Sequence, residues 1–475
     1  MSTKEYDAII IGSGPNGLAA AITLAQAGQR VLVLEAKDTL GGGTRTEELT
    51  LPGFKHDVCS AIHPLGIASP FLSKLPLSQY GLDWIHPPIA VAHPLDDGQT
   101  GIITGSLDES AASLGPDKRN YIKMMTPLVT SYQEILADIL GPLPFPPRHP
   151  ASLTRFGLLA IRSVNGLVAK RFQGDAARAL FAGLGGHSFL PLEKATTASI
   201  ALVLGMLAHK VGWPMAKGGS QTIPNAMSAY LRSLGGEVVT NEEVKTLDGL
   251  PESQLQLLDV TPRQVMQICG DLFPARYRRQ LQAFRYGPGV CKVDYALSEP
   301  IPWKSSVCNQ AGTVHLGGTL EEISVSEAAV WRGEHPDRPF VLLAQQSLFD
   351  EDRAPAGKHT AWAYCHVPHG SIVDMSERIT DQIERFAPGF RDLILAKHVR
   401  TAAEMQTYNP NFIGGDINGG VQDWRQLFTR PVPRRIPYST PVRGLYICSS
   451  STPPGGGVHG MCGYHAAIAG LNSLT

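Results

Sequence analysis

A strand, a glycine-cornered turn and a helix open the chain, and this start restricts the fold more than any other feature. Residues 6–11 are predicted to form a buried strand, and an apolar helix then runs through Ala27. The turn between them has the spacing GxGxxG and consists of Gly12, Ser13, Gly14, Pro15, Asn16 and Gly17. Its glycines allow a tight bend and a close approach to a pyrophosphate, and the helix N-terminus offers free N–H groups. The start therefore predicts an α/β fold with a dinucleotide site.

A carboxylate follows the second predicted strand. That strand covers residues 30–34 and leads to Glu35 and Ala36, roughly 20 residues after the turn, as in dinucleotide-binding folds. Glu35 can accept hydrogen bonds from both ribose hydroxyls of an adenosine, and it would repel a 2′-phosphate. FAD or NAD is therefore favoured over NADP. The alternative is a strand, turn and helix that only pack together.

Two further glycine-rich segments stand far apart in the chain. The first places Gly42 and Gly43 before Thr44 and Arg45, so that backbone can close on a phosphate and Arg45 adds charge. Simple nicotinamide enzymes do not need this second contact. The other segment, residues 455–457, precedes a helix predicted over residues 463–471.

Together these segments resemble the flavoprotein group that contains amine oxidases and bacterial-type phytoene desaturases. Many relatives place an Arg where this chain has Gly43, and Arg45 is expected to take its role; many carry an Asp where this chain has Ser450. The resemblance implies that Val244 meets the adenine and that the C-terminal turn meets the flavin. The expected FAD-binding residues are Gly12, Ser13, Gly14, Pro15, Asn16, Gly17, Glu35, Ala36, Gly42, Gly43, Thr44, Arg45, Val244, Ser450, Gly456, Gly457 and Val458.

The resemblance also implies the domain organisation: a Rossmann-like FAD-binding domain of the glutathione reductase and amine oxidase type, with an inserted α+β substrate domain. The FAD-binding domain is expected to be discontinuous. Its segments are 1–65, 215–255 and 435–475, and the substrate domain takes 66–214 and 256–434. Residues 153–172 read as an amphipathic helix pair, either core packing or a lid. Strands of the substrate domain are predicted at 289–296, 313–316, 340–345 and 360–366.

Composition excludes several classes of protein. A chain of 475 residues that is 43% hydrophobic can bury two large cores. A net charge of -1 gives no signature of nucleic-acid binding. The seven cysteines form neither a CxxC pair nor a zinc spacing, which argues against a disulfide reductase and a metal site and favours a cytoplasmic location. Peripheral membrane contact through 153–172 and homo-oligomer formation remain open.

The predicted chemistry is that of an FAD-dependent oxidoreductase. It would move a hydride from a C–C or C–N bond of an apolar or amphipathic small molecule to flavin N5, with oxygen or a quinone as electron acceptor. The candidate proton handlers are His63, His187, His366, His369 and His459. The resemblance places only His63 and His459 near flavin, so these two are the predicted catalytic residues; each could instead be a hydrogen-bonded histidine without chemistry.

Two other functions remain open from the sequence. The protein could be a redox-neutral flavin-dependent isomerase or saturase of a polyene, or a non-catalytic lipid-binding module like the GDP dissociation inhibitors.

Overall fold

The computed structural model describes residues 6–142 and 146–474. Residues 1–5 and 475, at the two ends of the predicted FAD-binding domain, lie outside the described residues. So do residues 143–145 of the predicted substrate domain.

The strands, numbered along the chain, are β1 (Ala8–Ile11), β2 (Val31–Leu34), β3 (Thr46–Glu47), β4 (His56–Asp57), β5 (Trp84–Ile85), β6 (Ile89–Pro94), β7 (Thr100–Ile103), β8 (Met215–Ala216), β9 (Glu237–Val239), β10 (Leu255–Leu258), β11 (Gly289–Leu297), β12 (Ala311–Leu316), β13 (Val341–Ala344), β14 (His359–Val367), β15 (Ile394–Arg400) and β16 (Leu445–Ile447).

The α-helices, numbered likewise, are α1 (Pro15–Gln26), α2 (Pro64–Ile67), α3 (Leu107–Ala112), α4 (Lys118–Thr130), α5 (Tyr132–Ile139), α6 (Pro150–Ala160), α7 (Val164–Val168), α8 (Asp175–Gly186), α9 (Thr197–Lys210), α10 (Thr222–Ser233), α11 (Pro262–Cys269), α12 (Ala275–Gln282), α13 (Leu320–Trp331), α14 (Ser376–Phe386), α15 (Ala402–Tyr408), α16 (Trp424–Thr429) and α17 (Met461–Leu471). Short 3-10 turns join several of these elements.

A parallel five-stranded sheet forms the first layer, in the order β16-β10-β1-β2-β9. Its strands are short and almost wholly apolar, as expected where helices cover both faces. Helices α1, α10 and α17 lie on one face, and α11 and α12 pack on the other. Because all five strands run the same way, their carboxyl ends meet at one edge. Gly12, Glu35, Asp259 and Cys448 each follow a strand directly, so they come to that edge together.

A mixed seven-stranded sheet forms the second large unit, in the order β15-β11-β14-β13-β12-β6-β7. Side chains alternate between its faces, because successive residues of a strand point to opposite sides. On β14, Ala361 and Ala363 face helix α14, whereas Trp362 and Tyr364 face the other way. This second face is directed towards the parallel sheet and forms one wall of the site described below.

The predicted boundary at residue 255 falls at the first residue of β10. That strand pairs with β1 and β16, and α11 and α12 pack on the same sheet. The chain through Gln282 therefore packs with the parallel sheet and not with the mixed one, which corrects the predicted start of the substrate segment at residue 256. The domain division as a whole stays a prediction.

The predicted helix pair over residues 153–172 corresponds to α6 and α7, which pack on α8 and α9. Phe156 and Leu167 are buried in the core, and Leu158 and Ile161 are exposed. Its use as a lid or at a membrane stays a prediction. Within residues 6–142 and 146–474, none of the helices has the length and apolar character needed to cross a bilayer.

The contact between α1 and α17 gives a first test of the fold. A Cβ atom on Gly463 would lie 1.7 Å from the backbone oxygen of Asn16, so the two helices must separate in a Gly463→Ala variant. Overpacking of this kind costs about 1–3 kcal/mol of unfolding free energy. We expect a lower midpoint in thermal or urea unfolding. The control is Gly157→Ala in α6, where nothing lies within 4 Å of the added atom; it should be neutral or stabilising. Equal stability of Gly463→Ala and wild type would contradict the close packing of these two helices.

Candidate active site

One cavity of about 620 Å³ joins the carboxyl edge of the parallel sheet to the inner face of the mixed sheet. This volume lies in the range of small-molecule and cofactor sites. Most of the residues predicted to bind FAD line it: Gly12, Ser13, Gly14, Pro15, Asn16, Glu35, Ala36, Gly42, Gly43, Thr44, Arg45, Val244, Ser450, Gly457 and Val458. Segments far apart in the sequence therefore face a single space.

Gly17 and Gly456 are also predicted to bind the cofactor, but they stand behind this lining. The Gly17 N–H donates to Oδ2 of Asp259 at 2.9 Å. A Cβ on Gly17 would lie 2.1 Å from the Gly12 oxygen, and one on Gly456 2.8 Å from the Asn418 oxygen. Both glycines thus allow close packing of the turns.

The two N-terminal glycine segments touch each other. Gly42 has a φ of +55°, and a Cβ placed on it would lie 3.3 Å from the Cα of Gly14. Helix α1 begins at Pro15, its N-cap residue Gly14 has no side chain, and Oδ2 of Asp259 accepts from the Gly17 N–H in the first turn. The N-terminus of α1 therefore opens on the cavity, with the Gly42 segment beside it. This arrangement suits an anion such as a pyrophosphate.

Glu35 and Arg45 form a buried ion pair in the cavity wall, with Oε1 of Glu35 3.2 Å from Nη2 of Arg45. The other Glu35 oxygen accepts from the backbone N–H and the hydroxyl of Ser13 at 3.0 and 2.5 Å. Arg45 also donates to the oxygens of Thr39 and Gly42. Most guanidinium protons are thus bound to the loop itself, and the pair fixes the loop while adding positive charge to the wall.

Asp259 is a cavity residue that the sequence interpretation missed. It directly follows β10, and its Oδ2 accepts from Gly17 at the N-terminus of α1. Burial raises the pKa of this carboxyl well above 3.8, and the nearby Glu35 raises it further, against the opposing effect of the backbone N–H donors. The signal that could have found it was position: it stands at the end of a parallel strand, where Glu35 also stands.

Two amide side chains of the cavity wall have buried polar atoms without a hydrogen-bond partner among the described residues. They are Oδ1 of Asn16 and Nδ2 of Asn418. Buried polar groups are normally satisfied, so these atoms indicate a polar ligand in the cavity. Together with the open helix N-terminus, they fit a dinucleotide.

His63 and His459, the predicted catalytic histidines, do not line the cavity, although their neighbours Ile62 and Val458 do. His63 contacts the Ser220 hydroxyl through Nε2 at 2.9 Å. Nδ1 of His459 accepts from the Met461 N–H at 3.0 Å, at the start of α17. Burial lowers the pKa of each to about 4. Both side chains are buried and point into the protein.

The wall opposite the glycine turns is uncharged. It consists of Thr313, Leu342, Ala344, Trp362 and Tyr364 from β12–β14, together with His187 and Trp213. The charged residues of the lining follow strands β2, β9 and β10 or belong to the Gly42 loop: Glu35, Lys37, Arg45, Glu242, Glu243 and Asp259. The sequence leaves the glycine-rich segment 409–420 open as a loop that covers the flavin or shapes the substrate pocket, or as a surface loop. Its residues 409–412, 417 and 418 line the cavity. The cavity thus has one charged end and one neutral end.

Comparison with known proteins agrees with this architecture. The NAD(P)-binding Rossmann-like domain family matches residues 10–74. The mouse pyridine nucleotide-disulfide oxidoreductase domain-containing protein 2 is 25% identical, over 98% of this chain and 93% of its own length. The phytoene desaturase (lycopene-forming) of Paracoccus sp. is also 25% identical, over 98% and 97%. The chain is an oxidoreductase that is similar to phytoene desaturases over nearly its whole length.

The fold of this oxidoreductase is also that of a solved putrescine oxidase structure, with a TM-score of 0.62, 19% identity and coverage of 98% and 99% of the two chains. The resemblance drawn from the glycine segments and the predicted fold class are therefore confirmed. The individual contacts to a cofactor stay predictions.

The Glu35–Arg45 pair gives a test in this oxidoreductase. Arg45→Met leaves the Glu35 carboxylate buried without its cation, and Glu35→Leu leaves the guanidinium unpaired. Each change should cost about 3–5 kcal/mol of unfolding free energy. The double variant should lose clearly less unfolding free energy than the two single variants together, because no uncompensated charge remains. Urea unfolding of the wild type, the two single variants and the double variant measures the coupling energy. If the losses of unfolding free energy add to within about 0.5 kcal/mol, the two groups act independently.

Asp259 predicts a pH dependence. Because its pKa is raised in the folded protein, the protonated form is favoured there, and stability should fall as pH rises from the ordinary carboxyl pKa towards the raised one. Affinity for ADP-ribose should fall over the same range, because the ionised carboxylate repels a pyrophosphate. The amide oxygen of Asp259→Asn can still accept from the Gly17 N–H. In this variant the affinity for ADP-ribose should change less with pH. Calorimetric titrations at several pH values measure this, and identical pH profiles for both proteins would contradict it.

Proposed function

We propose that this oxidoreductase binds FAD non-covalently and removes a hydride from a carbon atom of an uncharged, apolar small molecule. The observation that carries the proposal is the single cavity, in which three glycine segments distant in the sequence face a wall without charged side chains. A phosphate-binding end and a neutral end in one space suit a dinucleotide whose reactive ring meets an apolar substrate.

The second and third glycine segments favour FAD over a nicotinamide. A simple Rossmann domain holds its pyrophosphate with the first turn alone. Here the Gly42 loop touches that turn, and the C-terminal turn supplies Ser449, Ser450, Gly457 and Val458 to the same cavity. The ribityl chain and isoalloxazine ring of FAD extend beyond its pyrophosphate and would meet the C-terminal turn. When bound, flavin supplies a hydride acceptor.

The proposed roles follow from position. The N-terminus of α1 and the Gly42 loop would hold the pyrophosphate, and Glu35 with Ser13 would hold the ribose. Helix α17 starts at Met461, three residues after Val458 of the lining. The positive end of its dipole would favour negative charge at the pyrimidine edge of the flavin.

The charge distribution favours oxidation of a C–C bond over a C–N bond. A carboxylate beside an ammonium substrate would replace part of its hydration and offset its charge. All carboxylates of the described lining belong to the nucleotide end. Lys292 and Asp294 of the mixed sheet are buried beside this wall, but they pair with each other. We further propose oxygen or a quinone as the electron acceptor.

The colour of the purified protein tests the proposal. We expect the visible absorbance of oxidised flavin, and FAD released on denaturation at close to one equivalent per chain. Gly14→Val should lose the cofactor, because its Cβ would lie 2.6 Å from Oδ2 of Asp259. The control Gly157→Ala should keep it. Colourless protein that does not take up added FAD, or binds NAD instead, would refute the proposal.

A further inference from the structure

The neutral wall carries a set of polar atoms without partners among the described residues. Its side chains form two rows across the sheet, defined by strand register. Thr313, Ala344 and Trp362 make one row, and His315, Leu342 and Tyr364 make the other. Oγ1 of Thr313 and Nε1 of Trp362 are buried and have no hydrogen-bond partner in the described parts of the chain. The Tyr364 hydroxyl makes no hydrogen bond within the described parts of the chain, and neither does Nδ1 of His187.

His187 lies over one end of the second row. Its Nε2 is 3.0 Å from Nε2 of His315, and its ring stands edge-on to Trp213, with the ring centroids 5.5 Å apart. His187 is half-buried and lines the cavity, whereas His315 is fully buried. Tyr364 stands on the other side of Leu342 in the same row, which Lys292 of β11 continues. Two strand spacings, about 10 Å, separate His315 from Tyr364, which is room for a small molecule between them.

We assign the tautomers of the two histidines from their contact. Nδ1 of His315 is buried without a partner among the described residues, so a proton there would be an unsatisfied donor. The proton of neutral His315 therefore sits on Nε2 and is donated to Nε2 of His187. It follows that neutral His187 carries its own proton on Nδ1, the nitrogen that makes no hydrogen bond to the described residues.

Neutrality of His187 agrees with its surroundings. Burial lowers its pKa to about 3, and the neighbouring His366 lowers it further. The Tyr364 hydroxyl is likewise kept uncharged, because burial raises its pKa. The wall thus presents neutral N–H and O–H donors among aromatic rings. A pure hydrocarbon would cover these donors without accepting from them, and each buried unsatisfied donor is costly.

We propose that His187 and Tyr364 donate hydrogen bonds to an uncharged oxygen of the substrate. The substrate is then an apolar molecule with a carbonyl or hydroxyl group, and not a hydrocarbon. His315 is a positioning residue that holds the Nδ1–H tautomer of His187. This inference rests on the proposed function, since it names the substrate class of the same cavity.

Matched probes test the inference. Flavin-loaded protein is titrated with limonene and carvone, a ring pair that differs chiefly by a carbonyl group, and with 1-dodecene and 2-dodecanone, a chain pair. Binding is followed by the perturbation of the flavin spectrum and by calorimetry. In at least one pair, we expect the ketone to bind roughly 10-fold or more tightly than its hydrocarbon, because a hydrogen-bonding site discriminates against an analogue that lacks the oxygen. Carveol, the alcohol of the ring pair, tests whether a hydroxyl serves as well.

Variants assign the effect to the residues. Tyr364→Phe and His187→Leu should each weaken ketone binding about 2- to 12-fold, the range of one net hydrogen bond, and leave hydrocarbon binding within about twofold. His315→Leu should act like His187→Leu, whereas His315→Gln, which keeps an N–H donor, should restore part of the preference. The control is Tyr132→Phe, which removes a hydroxyl outside the cavity.

The outcomes separate this inference from the proposed function. Flavin-containing protein in which neither pair shows a preference for the oxygenated probe, including the case in which no probe binds, overturns the inference and leaves the FAD proposal standing. A change in the flavin spectrum of ligand-free Tyr364→Phe, with an unaltered ratio of ketone to hydrocarbon affinity, also overturns it, because the hydroxyl would then contact the cofactor. Protein without flavin would refute the proposed function itself.

Discussion

The close approach of backbone segments at the carboxyl edge of the parallel sheet is the constraint on which the rest of the structure depends. Gly12, Gly14 and Gly17 crowd against Asp259, and Gly42 stands against Gly14. A side chain at these positions would fill the space in front of helix α1 or push the turns apart. Parallel strands bring the ends of β1, β2, β10 and β16 to this edge without further requirement. The cofactor cavity is therefore a consequence of the sheet topology and of glycines at the most crowded positions.

The same topology sets the electrostatics of the cavity. Carboxylates and basic groups follow the strand ends, where ribose and phosphate are expected, and among them Glu35 and Arg45 pair with each other. The opposite wall comes from the inner face of a mixed sheet, whose alternating pattern supplies aromatic and small side chains. One space therefore holds two environments: charged groups in fixed positions at one end, and neutral donors in an apolar surface at the other.

The sequence predicted the parts of this structure that depend on short-range patterns. The turn at residues 12–17, the strand before Glu35 and the strands of the mixed sheet near residues 289, 313, 341 and 360 were all recognisable from glycine spacing and apolar runs. The pairing register of the strands could not be predicted from the sequence. The sequence therefore could not show that Thr313 and Trp362 share a row of the mixed sheet. The side-chain orientations of His63 and His459 could not be predicted either, because residues of a turn do not alternate between two faces in a regular period. Asp259 was missed because β10 was assigned to the wrong side of a domain boundary.

A crystal structure of the protein grown with FAD would test the central claim most directly. We expect the pyrophosphate at the N-terminus of α1 beside Gly42, and the isoalloxazine ring at the Gly457–Val458 turn, with the substrate space between the ring and the wall of Trp362 and Tyr364. A pyrophosphate elsewhere, or a ring outside this cavity, would contradict the claim that the three glycine segments enclose one cofactor.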